Sequence, residues 1–222
     1  MNFADYPVTM MLIAANVIIS LIGFSNREFT SKTILAPYLV KRNNQYYRMV
    51  TSGFLHADFM HLFFNMFTLF FFGMAIEYYF SRYGLGGKVT YLLLYFMALI
   101  ASDIPSYIKH KDNYNYHSLG ASGAVSAVVF ASILFGPWNE IRLYGAISLS
   151  FMLYAVLFIL YCINMGKKAN DNINHDAHLW GSIFGLFFTI LLILLLNPDL
   201  LNLVIKEIMH PSLFGRDPIY LK

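Results

Sequence analysis

Ser122 stands in the stretch His117-Ser118-Leu119-Gly120-Ala121-Ser122-Gly123-Ala124-Val125-Ser126, where a polar segment gives way to an uncharged run that continues to Gly136. A hydroxyl flanked by small residues at the mouth of an apolar helix is unusual. Other backbone can approach it closely. The first turn of a helix also offers N–H groups without intrahelical partners and the positive end of the macrodipole, which together can hold an oxyanion. The same residues suit a helix cap packed against a neighbour, so on this stretch alone both uses stay open.

A base for such a serine is available in His178. The segment Ala177-His178-Leu179-Trp180-Gly181-Ser182-Ile183-Phe184-Gly185 puts small residues at 177, 181 and 185 on one face, the spacing that lets membrane helices approach closely. If this face meets the small start of the serine run, the Ser122 hydroxyl reaches the His178 imidazole, a nucleophile with its base. Packing alone, with an interfacial histidine, is the simpler use of the same pattern. His61 and Asn65 are four positions apart and share a helical face. Two donors aimed at one point stabilise the negative oxygen of a tetrahedral intermediate, a contribution of about 3–4 kcal/mol per donor. A polar clamp between helices, or a metal site with His56 and His178, would use the same side chains. No cysteine and no acid cluster accompanies these histidines in the sequence, so no metal is expected. A third, acidic member is not evident: Asp176 precedes His178 by two positions and points away from it, and Asp103 and Asp112 are read as loop residues. The expectation is a Ser–His dyad. There is no Gly-x-Ser-x-Gly elbow, since Ala124 stands where its last glycine would be.

The elements that must position these groups are membrane helices. Of 222 residues, 58% are hydrophobic and only 12% charged, too apolar a balance for an ordinary soluble domain. Six runs lack Asp, Glu, Lys and Arg: Val8–Phe24, Phe59–Ile76, Val89–Ser102, Leu119–Gly136, Leu143–Ile163 and Ala177–Leu196. The expected fold is all-α, a polytopic bundle of six transmembrane helices over residues 1–200 with a tail from 201 to 222. The third run is short against the roughly 20 residues a span needs. The first run, preceded by Asp5 and without a small-residue cleavage site, reads as a retained span and not a signal peptide. If all six runs cross, the second, fourth and sixth run in the same direction. His61, Asn65, Ser122 and His178 then begin their helices at one depth on one side of the bilayer.

The connection Ser25–Asp58 holds five of the fifteen basic residues together with Tyr38, Tyr46 and Tyr47, too aromatic a composition for a tether. It is expected to fold back on the membrane surface, with Tyr46 and Tyr47 at the interface and Arg48 paired to phosphate or to protein. The link 137–142 reads as a tight connection, and 200–208 as a short amphipathic piece. Cys162, the single cysteine, excludes an internal disulfide and reads as core filling. A net charge of +3 scattered among loops leaves no footprint for nucleic acid.

Gly120-Ala121-Ser122-Gly123, His61-Leu62-Phe63-Phe64-Asn65 and the Ala177–Gly185 segment together resemble the signature motifs of rhomboid intramembrane serine proteases, in that family's order and on its helices. The resemblance covers about Val8 to Leu196. It implies that Ser122 is the nucleophile and His178 the general base and acid. It also implies that His61, Asn65 and the Ser122 backbone N–H form the oxyanion hole, with Gly120, Gly123, Gly181, Gly185 and His56 supporting the site. No cofactor is implied, and the substrates would be single-span membrane proteins cut beside or within the bilayer. Tyr47-Arg48 resembles the Trp-Arg pair of the family's first loop, and Glu77 its second-helix glutamate. Ser126 departs from members that carry there a tyrosine stacked on the catalytic histidine.

Loop charge orients the chain poorly. With the amino terminus inside, outer loops hold nine Lys and Arg against six inside, or four against six once the first loop is set aside. The resemblance to bacterial rhomboids implies an inner-membrane protein with both termini cytoplasmic. Two other functions stay in view. A non-enzymatic relative that escorts membrane clients would be marked by loss of the serine or histidine, and both are present. A proton-relaying transporter calls for intramembrane acids, and Glu77 at a helix end is the nearby candidate.

Overall fold

The structure, a computed structural model, describes residues 3–143, 147–168 and 173–211. The first long helix is α1 (Pro7–Ser25), where Pro7 takes the first helical position, whose N–H would have no acceptor within the helix. Three short helices follow: α2 (Arg27–Thr33), α3 (Pro37–Asn43) and α4 (Arg48–Thr51). Two long apolar helices come next, α5 (Phe59–Arg82) and α6 (Gly87–His110), then the short α7 (Ser122–Ile133). A hairpin of β1 (Glu140–Leu143) and β2 (Ile147–Ser150) leads into α8 (Phe151–Lys168), α9 (His175–Leu196) and α10 (Asp199–Ile208).

Four of these helices, α1, α5, α6 and α9, are long and apolar enough to cross a membrane. The other two expected spans form shorter helices. At 1.5 Å per residue the 12 residues of α7 rise only about 18 Å, well under the roughly 30 Å of a hydrocarbon core. Every residue from Gly123 to Ile133 is buried, because α5, α6 and α9 all pack around α7. In contrast, Phe63, Phe67 and Phe71 of α5 recur at four-residue intervals on its outside and are exposed, as lipid-facing side chains are. The large buried side chains Leu69, Phe80, Tyr91, Leu94 and Tyr95 belong to the core that α1, α5, α6, α7 and α9 share.

Two expectations change. The third run does not stop at Ser102: α6 continues through Pro105 to His110, so Asp103 is a helical residue and not a loop residue. The charge of Asp103 does not end the helix, because its carboxylate turns inward, where the Ser52 hydroxyl approaches it at 3.5 Å. The fifth run does not begin as helix. Glu140 pairs with Ser150 and Leu143 with Ile147 in an antiparallel hairpin, closed by Phe151 N–H donating to the Asn139 carbonyl at 2.9 Å. The fold is mostly helical, with one short hairpin among the described residues. The amphipathic piece expected at 200–208 is present as α10, which starts at Asp199, buries Leu200 and Val204 in the core and takes a 2.7 Å hydrogen bond from Trp138 Nε1 on the Glu207 carbonyl.

The first connection is folded in detail. Arg48, buried, donates to the carbonyls of Ser31 (2.9 Å) and Ile34 (2.8 Å) and to Gln45 Oε1 (2.6 Å), so it pairs with protein. Leu35 and Ser118 exchange backbone hydrogen bonds at 3.0 and 3.1 Å, which ties this connection to the segment just before Ser122. Glu77 of α5 caps α1: its carboxylate accepts from Val8 N–H, Thr9 N–H and the Thr9 hydroxyl at 3.0, 2.9 and 2.8 Å. With both oxygens engaged in capping, Glu77 is a structural group and not a relay acid.

Candidate active site

The seam between α7 and α9 is built on glycine. A Cβ on Gly181 would lie 2.1 Å from the Gly123 carbonyl oxygen, and one on Gly185 would lie 2.1 Å from that of Ala127. The 123/181 and 127/185 contacts advance by four residues on both helices, so the two run parallel with their backbones touching. A Cβ on Gly123 would meet the Ala177 carbonyl at 3.4 Å and the Ser102 hydroxyl at 2.2 Å, so α6 closes on the same point. Ser122 and His178, each one residue along from a seam contact, thereby face one open cleft of about 990 Å³, which His61 and Asn65 also line. The four groups whose spacing pointed to chemistry are brought together.

Gly120 sets the approach of the loop. Its φ of 126° is open to glycine and strained for other residues, and its N–H donates to the Ser52 carbonyl at 3.1 Å. A Cβ there would sit 2.9 Å from His61 Cε1, 3.1 Å from His61 Nε2 and 3.7 Å from Ser122 Oγ. The imidazole of His61 and the hydroxyl of Ser122 therefore flank one small space that only a hydrogen side chain leaves clear.

His61 opens α5, where Asp58 caps the helix by accepting from its N–H at 2.8 Å. The Ala57 N–H donates to His61 Nδ1 at 3.4 Å, which leaves the ring proton on Nε2, the atom facing Gly120. Asn65 Nδ2 gives one hydrogen to the His61 carbonyl at 3.0 Å and keeps its second for the cleft. Behind them lies His56, 4% exposed, whose ring packs edge-on to His61 with centroids 5.0 Å apart. The Ser20 hydroxyl donates to the Phe54 carbonyl at 2.9 Å, so at 2.8 Å it accepts from His56 Nδ1. Burial first, and then His61, pushes His56 down to about 3 against the opposing pull of Asp58, so its ring is neutral and acts as a strut between α1 and His61.

His178 sits in the first turns of α9. Its helix is capped by Asn174, whose Oδ1 accepts from the Ala177 N–H at 3.1 Å, while Nδ2 reaches the hydroxyls of Ser106 (2.9 Å) and Ser118 (3.1 Å). One side chain thus pins the start of α9 to α6 and to the serine loop. The sequence reading missed Asn174; its position four before His178, at a helix start, is the signal that was there to find. Ser126 lines the cleft, and the ring over His178 is Phe158 of α8, 6.1 Å away and inclined at 25°. An aromatic from the next helix thus occupies the stacking position that residue 126 leaves open. Asp176 pairs with Lys109 at 3.2 Å.

Comparison with known proteins extends this geometry. Residues 43–195 match the family model described as the Rhomboid domain. The chain is 28% identical over 193 residues to the putative rhomboid protease YdcA of Bacillus subtilis, covering 84% of this chain and 88% of that protein. It is 28% identical over 194 residues to the RHOMBOID-like protein 12, mitochondrial, of Arabidopsis thaliana, 82% of this chain and 57% of that one. Rhomboid protease GluP of Bacillus subtilis is also 28% identical, over 185 residues that make up 81% of this chain and 33% of that protein. The chain thus spans little more than half, or less, of two of these relatives.

Proposed function

The chain belongs to the rhomboid family and is an integral membrane protein, and from that premise we propose that it is an intramembrane serine endopeptidase working through a Ser122–His178 dyad. The observation that supports this most is the convergence of Ser122, His178, His61 and Asn65 on one cleft. Ser122 Oγ attacks the carbonyl carbon of the scissile bond while His178 takes its proton. The negative oxygen that forms is held by His61 Nε2–H, the second hydrogen of Asn65 Nδ2 and the Ser122 N–H, which as the first of α7 has no acceptor within the helix. His178 returns the proton to the leaving amine. Water from the cleft then resolves the acyl-enzyme, with His178 again the base.

Gly120, Gly123, Gly181 and Gly185 act by allowing close approach, and His56 by backing His61. No cofactor takes part in any step. The substrates are single-span membrane proteins, whose helix must unwind locally before a backbone carbonyl reaches Ser122. The chain sits in a bacterial inner membrane with both termini cytoplasmic, and an exported carboxyl-terminal reporter fusion would contradict that orientation. The function is tested by reconstituting the protein with a panel of single-span proteins. Cleavage near or within a span, abolished by Ser122→Ala and by His178→Ala, is the expected result. Cleavage that survives both substitutions contradicts the proposal.

A further inference from the structure

Behind His178, three side chains of metal-binding type converge. Cys162 of α8 and His175 and His178 of α9 bring a sulfur and two ring nitrogens within 4.8 Å of one another, a grouping in the described residues that the sequence separates by twelve positions or more from the thiol. His175 and His178 are three apart on one helical face, and α8 packs against α9, which delivers the thiol to them. Cys162 and His175 are buried, at 1% and 3% exposure, while His178 reaches the cleft. Aromatic rings flank both imidazoles: Tyr161 meets His175 edge-on at 5.4 Å, and Phe158 lies 6.1 Å from His178.

We infer that Cys162, His175 and His178 form an inhibitory site for a thiolate- and imidazole-preferring divalent cation, Zn²⁺ foremost, which binds at the cost of His178's partnership with Ser122. One thiolate and two imidazoles are a set that suits zinc and disfavours the hard cations calcium and magnesium. Bonds of about 2.3 Å to sulfur and about 2.0–2.1 Å to nitrogen put tetrahedral ligand atoms roughly 3.3–3.7 Å apart. Side-chain rotations that draw the three atoms together by about 1 Å complete the cage. The three side chains leave a fourth position for water. Binding releases the thiol proton to solvent and changes no oxidation state. The metal takes the ring nitrogen lone pair that His178 would use to accept the Ser122 proton, so occupancy stops catalysis. The binding half of this inference stands alone, whereas the inhibitory half rests on the proposed protease activity.

The test uses the full chain, reduced and metal-free in detergent, with Co²⁺ as the spectroscopic probe. A thiolate-to-cobalt charge-transfer band should grow to saturation at one cobalt per chain and bleach on adding Zn²⁺. Cys162→Ser should lose the band, and His175→Ala, which keeps the thiol, should bind at least about tenfold more weakly. In parallel, Zn²⁺ should inhibit cleavage and a chelator restore it, with each variant, referred to its own metal-free rate, at least about tenfold less sensitive. Absence of the band in folded protein, or its survival in Cys162→Ser, overturns the site. Equal zinc sensitivity in all three proteins overturns the inhibitory role. A normal cobalt band in a protein that cleaves nothing upholds the site and counts against the protease reading instead.

Discussion

At the scale of single residues, the account turns on where hydrogens sit around Gly120. The His61 proton on Nε2 and the second Asn65 hydrogen are the proposed donors, so Asn65→Ala should lower kcat by about 10²–10³-fold with KM little changed. Steady-state kinetics on any cleaved substrate checks this split, and a change confined to KM would assign Asn65 to binding. His56 offers a second, independent test. Its folded value of about 3 lies below the ordinary 6.5, so the unfolded chain binds the extra proton between those values. The stability it contributes is complete above pH 6.5 and is lost as pH falls toward 3. Thermal melts in detergent should therefore drop over that window, by a few kcal/mol in total, and His56→Gln should flatten the dependence. That Ser122, His178, His61 and Asn65 line one cleft was legible because residue type and spacing carry it. The neutral strut at His56 and the tie from Asn174 to Ser106 and Ser118 were not, because both depend on partners more than thirty positions away.

At the scale of elements, the α7–α9 seam decides whether a site exists at all. Gly181→Ala places a methyl against a backbone carbonyl that cannot rotate aside, and should destabilise by about 1–3 kcal/mol or more and lower activity with it. Gly166→Ala in α8 is the control. There the new Cβ meets Asp176 Oδ1 at 3.2 Å, the end of a side chain that can swing away, so the better helix propensity of alanine should leave the melting temperature unchanged or slightly raised. Equal losses from both would mean that glycine loss itself, not the seam, is felt. The small-residue spacing at 177, 181 and 185 announced this contact in the sequence. The hairpin was invisible there, since four-residue strands give too little alternation to stand out from an apolar run. The length of α6 was misjudged because Asp103, read as an end, is turned inward to Ser52.

At the scale of the whole molecule, a short buried helix carries the serine and longer helices shelter it. Glu77 joins α1 to α5 through three hydrogen bonds in a buried setting, and Glu77→Ala leaves the N–H groups of Val8 and Thr9 without their acceptor. It should lower stability by about 2–3 kcal/mol, seen as an earlier melt, while a residual fold still cleaves at a reduced yield of active protein. The order of the apolar runs was enough to forecast that the starts of α5, α7 and α9 share one face, which is the property the cleft expresses. It was not enough to count the spans, because α7, enclosed by its neighbours, is too short to cross although its run is apolar. The most direct measurement is mass-spectrometric mapping of the adduct left by a fluorophosphonate, which reacts with activated serines. The account predicts one adduct, on Ser122, that disappears in Ser122→Ala and in His178→Ala. An adduct on another serine, or one on Ser122 undiminished by His178→Ala, would contradict it.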